Sequence, residues 1–112
     1  MSQITTHVLD TSLGRPAAGV PLQLSRRGDD DWTVLASGVT DADGRVGDLL
    51  DDSPLPAGTY RMYFDTARYF ELQGERGFYP WVEVVFEITG GGEHYHIPLL
   101  LSPYGYSTYR GS

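Results

Sequence analysis

The sequence has 112 residues, enough for one domain with its own core and too few for two. It has no cysteine, which excludes disulfides, thiolate zinc sites and a cysteine nucleophile, and no lysine, which excludes Schiff-base chemistry. Eight arginines against fifteen Asp and Glu give a net charge of −7, a poor balance for binding nucleic acid or an anionic membrane.

Short alternating runs recur along the chain, separated by turn residues. Residues 4–9 put Ile4, Thr6 and Val8 on one face and Thr5, His7 and Leu9 on the other. In residues 20–24, Val20, Leu22 and Leu24 share a face, and residues 32–36 form a further run. Arg26 to Asp31 read as a polar tip between strands, and Thr40-x-x-Asp43-Gly44 reads as an ordinary hairpin turn just before Arg45. Residues 59–64 align Tyr60, Met62 and Phe64. Asp65 and Thr66 are good helix caps, and 67–73 lack a breaker before Gly74, which predicts a helix of about two turns. Residues 81–89 align Val82, Val84, Phe86 and Ile88, and the three glycines 90–92 read as closing a hairpin. Residues 94–101 and 104–110 complete seven or eight strands, the pattern of a β-sandwich or barrel.

The three histidines are the chain's near-neutral titrating side chains. His94 and His96 alternate with Tyr95, Ile97 and Leu99 and so share a face. That spacing suits two metal ligands, but no Cys or carboxylate stands at ligand spacing beside them, so no metal and no cofactor are expected. There is no glycine-rich phosphate loop and no Gly-x-Ser-x-Gly elbow. The end of the chain carries Tyr104, Tyr106 and Tyr109 within nine residues, unusual for a segment that frays, and reads as an ordered final strand.

Several segments together resemble one family. Thr6-His7-Val8-Leu9-Asp10 with Gly14-Arg15-Pro16-Ala17, Thr40-Asp41-Ala42-Asp43-Gly44-Arg45 and Phe78-Tyr79-Pro80 look like signatures of the 5-hydroxyisourate hydrolase (transthyretin-related) family. The strongest match runs from His94-Tyr95-His96-Ile97-Pro98 to the terminal Tyr109-Arg110-Gly111-Ser112. The resemblance covers essentially all of residues 1–112, taken as a single domain. It implies a mostly β, transthyretin-like sandwich of two four-stranded sheets with one short helix. It also implies a homotetramer, a dimer of dimers, with sites in the channel between the dimers.

The implied reaction is hydrolysis of 5-hydroxyisourate to 2-oxo-4-hydroxy-4-carboxy-5-ureidoimidazoline in urate degradation. Carried over by motif, His7, Arg45 and His96 are catalytic, and Tyr109, Arg110, Gly111 and Ser112 line the substrate pocket. His94 is given no catalytic part. A neutral imidazole can take a proton from water near neutrality, and a permanently charged guanidinium can stabilise an oxyanion. Direct water attack, without a covalent intermediate or a metal, is therefore the expected chemistry. The rival classes are a transthyretin-like carrier of a small ligand and a structural sandwich; neither requires His7, Arg45 and the terminal tetrapeptide. With no cationic segment before an apolar run at the start and no Ser-Lys-Leu-type ending, the expected setting is the cytoplasm.

Overall fold

The computed structural model describes residues 3–51 and 53–111. Eight strands are present among them: β1 (Ile4–Asp10), β2 (Arg15–Pro16), β3 (Pro21–Arg27), β4 (Trp32–Val39), β5 (Gly58–Phe64), β6 (Val82–Ile88), β7 (Tyr95–Ser102) and β8 (Gly105–Thr108). One helix, α1 (Thr66–Leu72), lies between β5 and β6. The strands form two four-stranded sheets, ordered β2-β1-β7-β8 and β4-β3-β5-β6. This is the expected mostly β sandwich with one short helix.

The alternation legible in the sequence decides which face each strand buries. Ile4, Val8, Leu22, Leu24, Tyr60, Met62, Phe64, Leu99 and Leu101 are sealed between the sheets. At roughly 1.5–3 kcal/mol for each large apolar side chain removed from water, this shared core is what holds the two sheets together. Every strand pair is antiparallel except β1 with β7, which run parallel from Ile4 opposite Tyr95 to Asp10 opposite Leu101. The two strands are far apart in the chain, and β3 to β6 build the whole second sheet between them.

Two expectations need correction. The glycines 90–92 do not close a hairpin: β6 and β7 lie in different sheets, so this segment crosses from one sheet to the other. Gly90 and Gly92 have φ of 90° and 76°, a conformation that side-chain-bearing residues rarely adopt, so glycine punctuates the crossing. The Asp43-Gly44 turn likewise does not return β4 along itself. Gly44, at φ 76°, directs the chain from the second sheet to the edge of β1. A two-residue strand such as β2 is too short to leave a period in the sequence, and it pairs with the end of β1 after the turn at 11–14.

Helix α1 starts as its capping residues predict. Asp65 accepts a hydrogen bond from the Arg68 N–H at 3.1 Å, and Tyr69 and Phe70 face inward. Tyr69 ties the helix to the first sheet, because its hydroxyl donates to the buried Asp10 carboxylate at 2.6 Å. The other Asp10 oxygen accepts from the Leu13 N–H at 2.9 Å. Burial, reinforced by the bond to Asp10, pushes the Tyr69 phenol well above its usual pKa. Tyr69→Phe would leave one oxygen of a buried carboxylate unpartnered. We expect a loss of about 1–3 kcal/mol in urea unfolding, with the sandwich retained. An unchanged midpoint would mean that water replaces the hydroxyl at no cost.

Candidate functional site

The parallel ladder puts Thr5 opposite His96 and His7 opposite Pro98. Alternation turns Ile4, Thr6 and Val8 into the core, so Thr5 and His7 lie on the outer face of the first sheet. Tyr95, Ile97 and Leu99 are buried in the same way, which turns His96 outward. His7 and His96 therefore occupy adjacent strands of one face, and both are half-buried.

Arg45 reaches this face through the Asp43-Gly44 turn. The Asp41 side chain accepts from the N–H groups of Asp43 and Arg45, and the Val8 N–H donates to the Gly44 carbonyl at 2.8 Å. A single antiparallel bridge then sets Arg45 beside His7. A Cβ on Gly44 would overlap the Val8 carbonyl oxygen, so only glycine lets the turn press against β1.

The chain end arrives from the other side. Gly111 forms an antiparallel bridge with His96, its N–H donating to the His96 carbonyl at 2.9 Å. A Cβ on Gly111 would overlap His96 Cδ2, so bare backbone lies against the ring. Arg110 lies 4.7 Å above the Tyr95 ring and 3.7 Å from a Glu93 oxygen, and Tyr109 is exposed. Of the four terminal residues expected at the pocket, Gly111 touches the His96 ring. Arg110 is directed toward Tyr95 and Glu93, and Ser112 lies outside the described residues.

Thr5 is a residue of the candidate site that sequence reading missed. Its hydroxyl is within hydrogen-bond distance of His96 Nδ1, at 2.8 Å, and of His94 Nε2, at 3.0 Å. The available signal was its parity with His7, two residues away on the same face. His94 falls just before β7, yet its ring stacks on that of His96 with centroids 6.5 Å apart.

Burial, then the positive charge of Arg45, then His94 and His7, hold His96 below the usual imidazole range. His96 is thus favoured neutral in the folded protein. Because the unfolded chain binds this proton more readily, its protonation works against folding, and stability falls as pH drops through the imidazole range. Among the described residues, no protein group hydrogen-bonds the side chains of His7 or Arg45, or Nε2 of His96, so these atoms remain available to a ligand. No group of three or more His, Asp or Glu side chains is placed to hold a metal among the described residues. The arrangement puts two imidazoles, one of them favoured neutral, and a guanidinium on one open face.

Comparison with known proteins gives concordant results. The family model described as the HIUase/Transthyretin family matches residues 4–111. A mouse 5-hydroxyisourate hydrolase is 50% identical over 113 residues, covering 99% of this chain and 96% of the mouse protein. The crystal structure of sea bream transthyretin in complex with thyroxine superposes with a TM-score of 0.92 at 40% identity, covering 98% of this chain and 95% of that one. The structure of Klebsiella pneumoniae 5-hydroxyisourate hydrolase superposes with a TM-score of 0.84 at 41% identity, covering 97% and 98%.

The contact between Gly111 and His96 has a measurable consequence. Gly111→Ala must lift the chain end from the ring and admit water. The His96 titration followed by NMR should then move upward, toward the ordinary imidazole value. A His96 titration unchanged by the substitution would mean that the terminal backbone contributes nothing to its desolvation.

Proposed function

Since the chain belongs to the HIUase/transthyretin family, we propose that it hydrolyses 5-hydroxyisourate to 2-oxo-4-hydroxy-4-carboxy-5-ureidoimidazoline in urate degradation, with His7, Arg45 and His96 as its catalytic residues. The observation that carries this reading is the gathering of these three side chains, from three separate segments, on one sheet face. Fold similarity alone would serve a thyroxine-binding transthyretin equally well. A carrier of an apolar ligand has no need of two imidazoles and a guanidinium with uncommitted polar atoms.

In the proposed reaction the neutral His96 takes a proton from water as the oxygen bonds to the ring carbonyl carbon. Arg45 orients the planar substrate and stabilises the oxyanion that develops. His7, beside Arg45, completes proton transfer toward the leaving ring nitrogen. Gly111, whose backbone lies against the His96 ring, walls one side of the pocket. The reaction needs no cofactor, because water is the nucleophile and the charge is balanced by protein groups.

We assign this activity to a single domain, 1–112, working as a homotetramer, a dimer of dimers, in the cytoplasm. The face bearing the site is open, so a second subunit is needed to wall it. The edge strands support further self-association. Between β6 and β8 lies a cavity of about 340 Å³, lined in part by Val84, Phe86, Ile97 and Tyr109. Val85 and Tyr109 are more than half exposed there. Open edges with apolar side chains are expected to be covered by another chain. No described helix is long and apolar enough to cross a membrane.

The test follows the absorbance of 5-hydroxyisourate, generated in place by urate oxidase, with and without this protein. We expect decay well above the spontaneous rate; decay at that rate would favour the carrier. His7→Ala and His96→Ala should each lower turnover about 10²-fold or more, with circular dichroism unchanged, and His94→Ala should be much milder. Near-normal turnover in His7→Ala or His96→Ala would remove that residue from the mechanism.

Arg45→Lys keeps the charge but loses the planar fork that can engage two ring heteroatoms together. A clear fall in kcat/KM is expected. Wild-type efficiency would reduce Arg45 to a generic positive charge.

A further inference from the structure

The hydroxyl of Thr5 stands between two histidines, 2.8 Å from His96 Nδ1 and 3.0 Å from His94 Nε2. A hydroxyl has one proton and two lone pairs, so where it links the two rings it donates to one of these nitrogens and accepts from the other. This leaves two self-consistent arrangements. In the first, His96 Nδ1–H donates to Thr5, the hydroxyl donates to His94 Nε2, and His96 Nε2 carries a lone pair. In the second, His94 Nε2–H donates to Thr5, the hydroxyl donates to His96 Nδ1, and His96 Nε2 carries the proton. The bond made by one ring nitrogen thus fixes the state of the other.

The charges around the two rings differ. His96 is half-buried and has Arg45 on the segment after β4, His7 on β1 and His94 on its own segment nearby. A positive charge on it is opposed from each side. His94 is exposed, and solvent can stabilise an imidazolium there. An imidazolium has a proton on both nitrogens, so a charged His94 selects the second arrangement.

We infer that Thr5 is a positioning residue of the hydrolysis, passing a proton between His96 and the solvent-facing His94. The inference rests on the hydrolase reading above. As the water oxygen bonds to the substrate carbonyl carbon, the water proton goes to His96 Nε2. The proton on His96 Nδ1 passes to Thr5 Oγ1, and the hydroxyl's own proton passes to His94 Nε2. His96 ends neutral with its proton on Nε2, and His94 ends as the cation, so no positive charge is left beside Arg45. The reverse transfer returns His94 to neutral as His96 Nε2 gives up its proton, which reaches the ring nitrogen by way of His7 as the C–N bond breaks. Loss of His94 is tolerable because solvent can take its place at the exposed end. Loss of Thr5 breaks the path at its middle.

The coupling is read first without substrate, by ¹⁵N-edited NMR of the histidine rings in the folded full chain. The relay starts from the first arrangement, which leaves His96 Nε2 free to take a proton, so with both rings neutral His96 should carry its proton on Nδ1. A neutral His96 beside a charged His94 should instead carry it on Nε2, a shift of the proton from one ring nitrogen to the other. Thr5→Val keeps the branched shape without the hydroxyl and should abolish the shift, and Thr5→Ser should restore it. In the decay assay Thr5→Val should lower kcat about tenfold or more with KM unchanged, and Thr5→Ser should recover most of the loss. A His96 tautomer indifferent to the His94 charge, or full kcat in Thr5→Val, would overturn the relay. Wild-type protein with coupled spectra but no turnover would sink the hydrolase reading and leave the coupling of the two rings standing.

Discussion

The parallel ladder between β1 and β7 sets the geometry of everything on the outer face of the first sheet. A slip of one residue would turn every side chain of a strand to the opposite face. The register is held from below by Ile4, Thr6 and Val8 on one strand and Tyr95, Ile97 and Leu99 on the other, all buried. The Thr6 hydroxyl adds a buried hydrogen bond to the Ile97 carbonyl at 2.6 Å. Burying Ile4 and Tyr95 therefore also presents Thr5 to His96, and the apolar core fixes the polar site at the same time. Arg45 and Gly111 then dock on the two flanks of this strand pair, each at a point where a glycine backbone must come close.

The electrostatics of that face run against the molecule as a whole. The chain is net acidic by seven charges, yet Arg45, His7, His94 and His96 gather in one place. Such a patch in an acidic surround attracts polar and anionic ligands and disfavours protonation of His96. On the proposed hydrolase reading the same field serves two ends, drawing in an electron-rich ring and keeping His96 in the neutral form a base requires. The two functions are inseparable, because the Arg45 charge contributes to both.

The alternation in residues 4–9 and 94–101 was enough to place His7 and His96 on outward faces, and the caps at Asp65 and Thr66 were enough to place the helix. Adjacency of the first and penultimate strands was compatible with a sandwich, but no local pattern encodes a parallel pairing between strands about ninety residues apart. The arrival of Arg45 beside His7 was equally hidden, since Asp43-Gly44 reads the same whether the chain doubles back or crosses to another sheet. The glycines 90–92 misled for that reason: they record a backbone conformation and not its destination. Thr5 went unread because a threonine on a strand is ordinary until the partner strand is known.

The central claim is that His7, Arg45 and His96 form one catalytic site on the outer face of the first sheet. A crystal structure of the assembled protein with a non-hydrolysable analogue of 5-hydroxyisourate tests it most directly. The account predicts the analogue on that face, with a carbonyl oxygen within about 3 Å of the Arg45 guanidinium and the His96 Nε2 edge facing the scissile carbon. An analogue bound at an apolar position, out of hydrogen-bond reach of both Arg45 and His96, would contradict it.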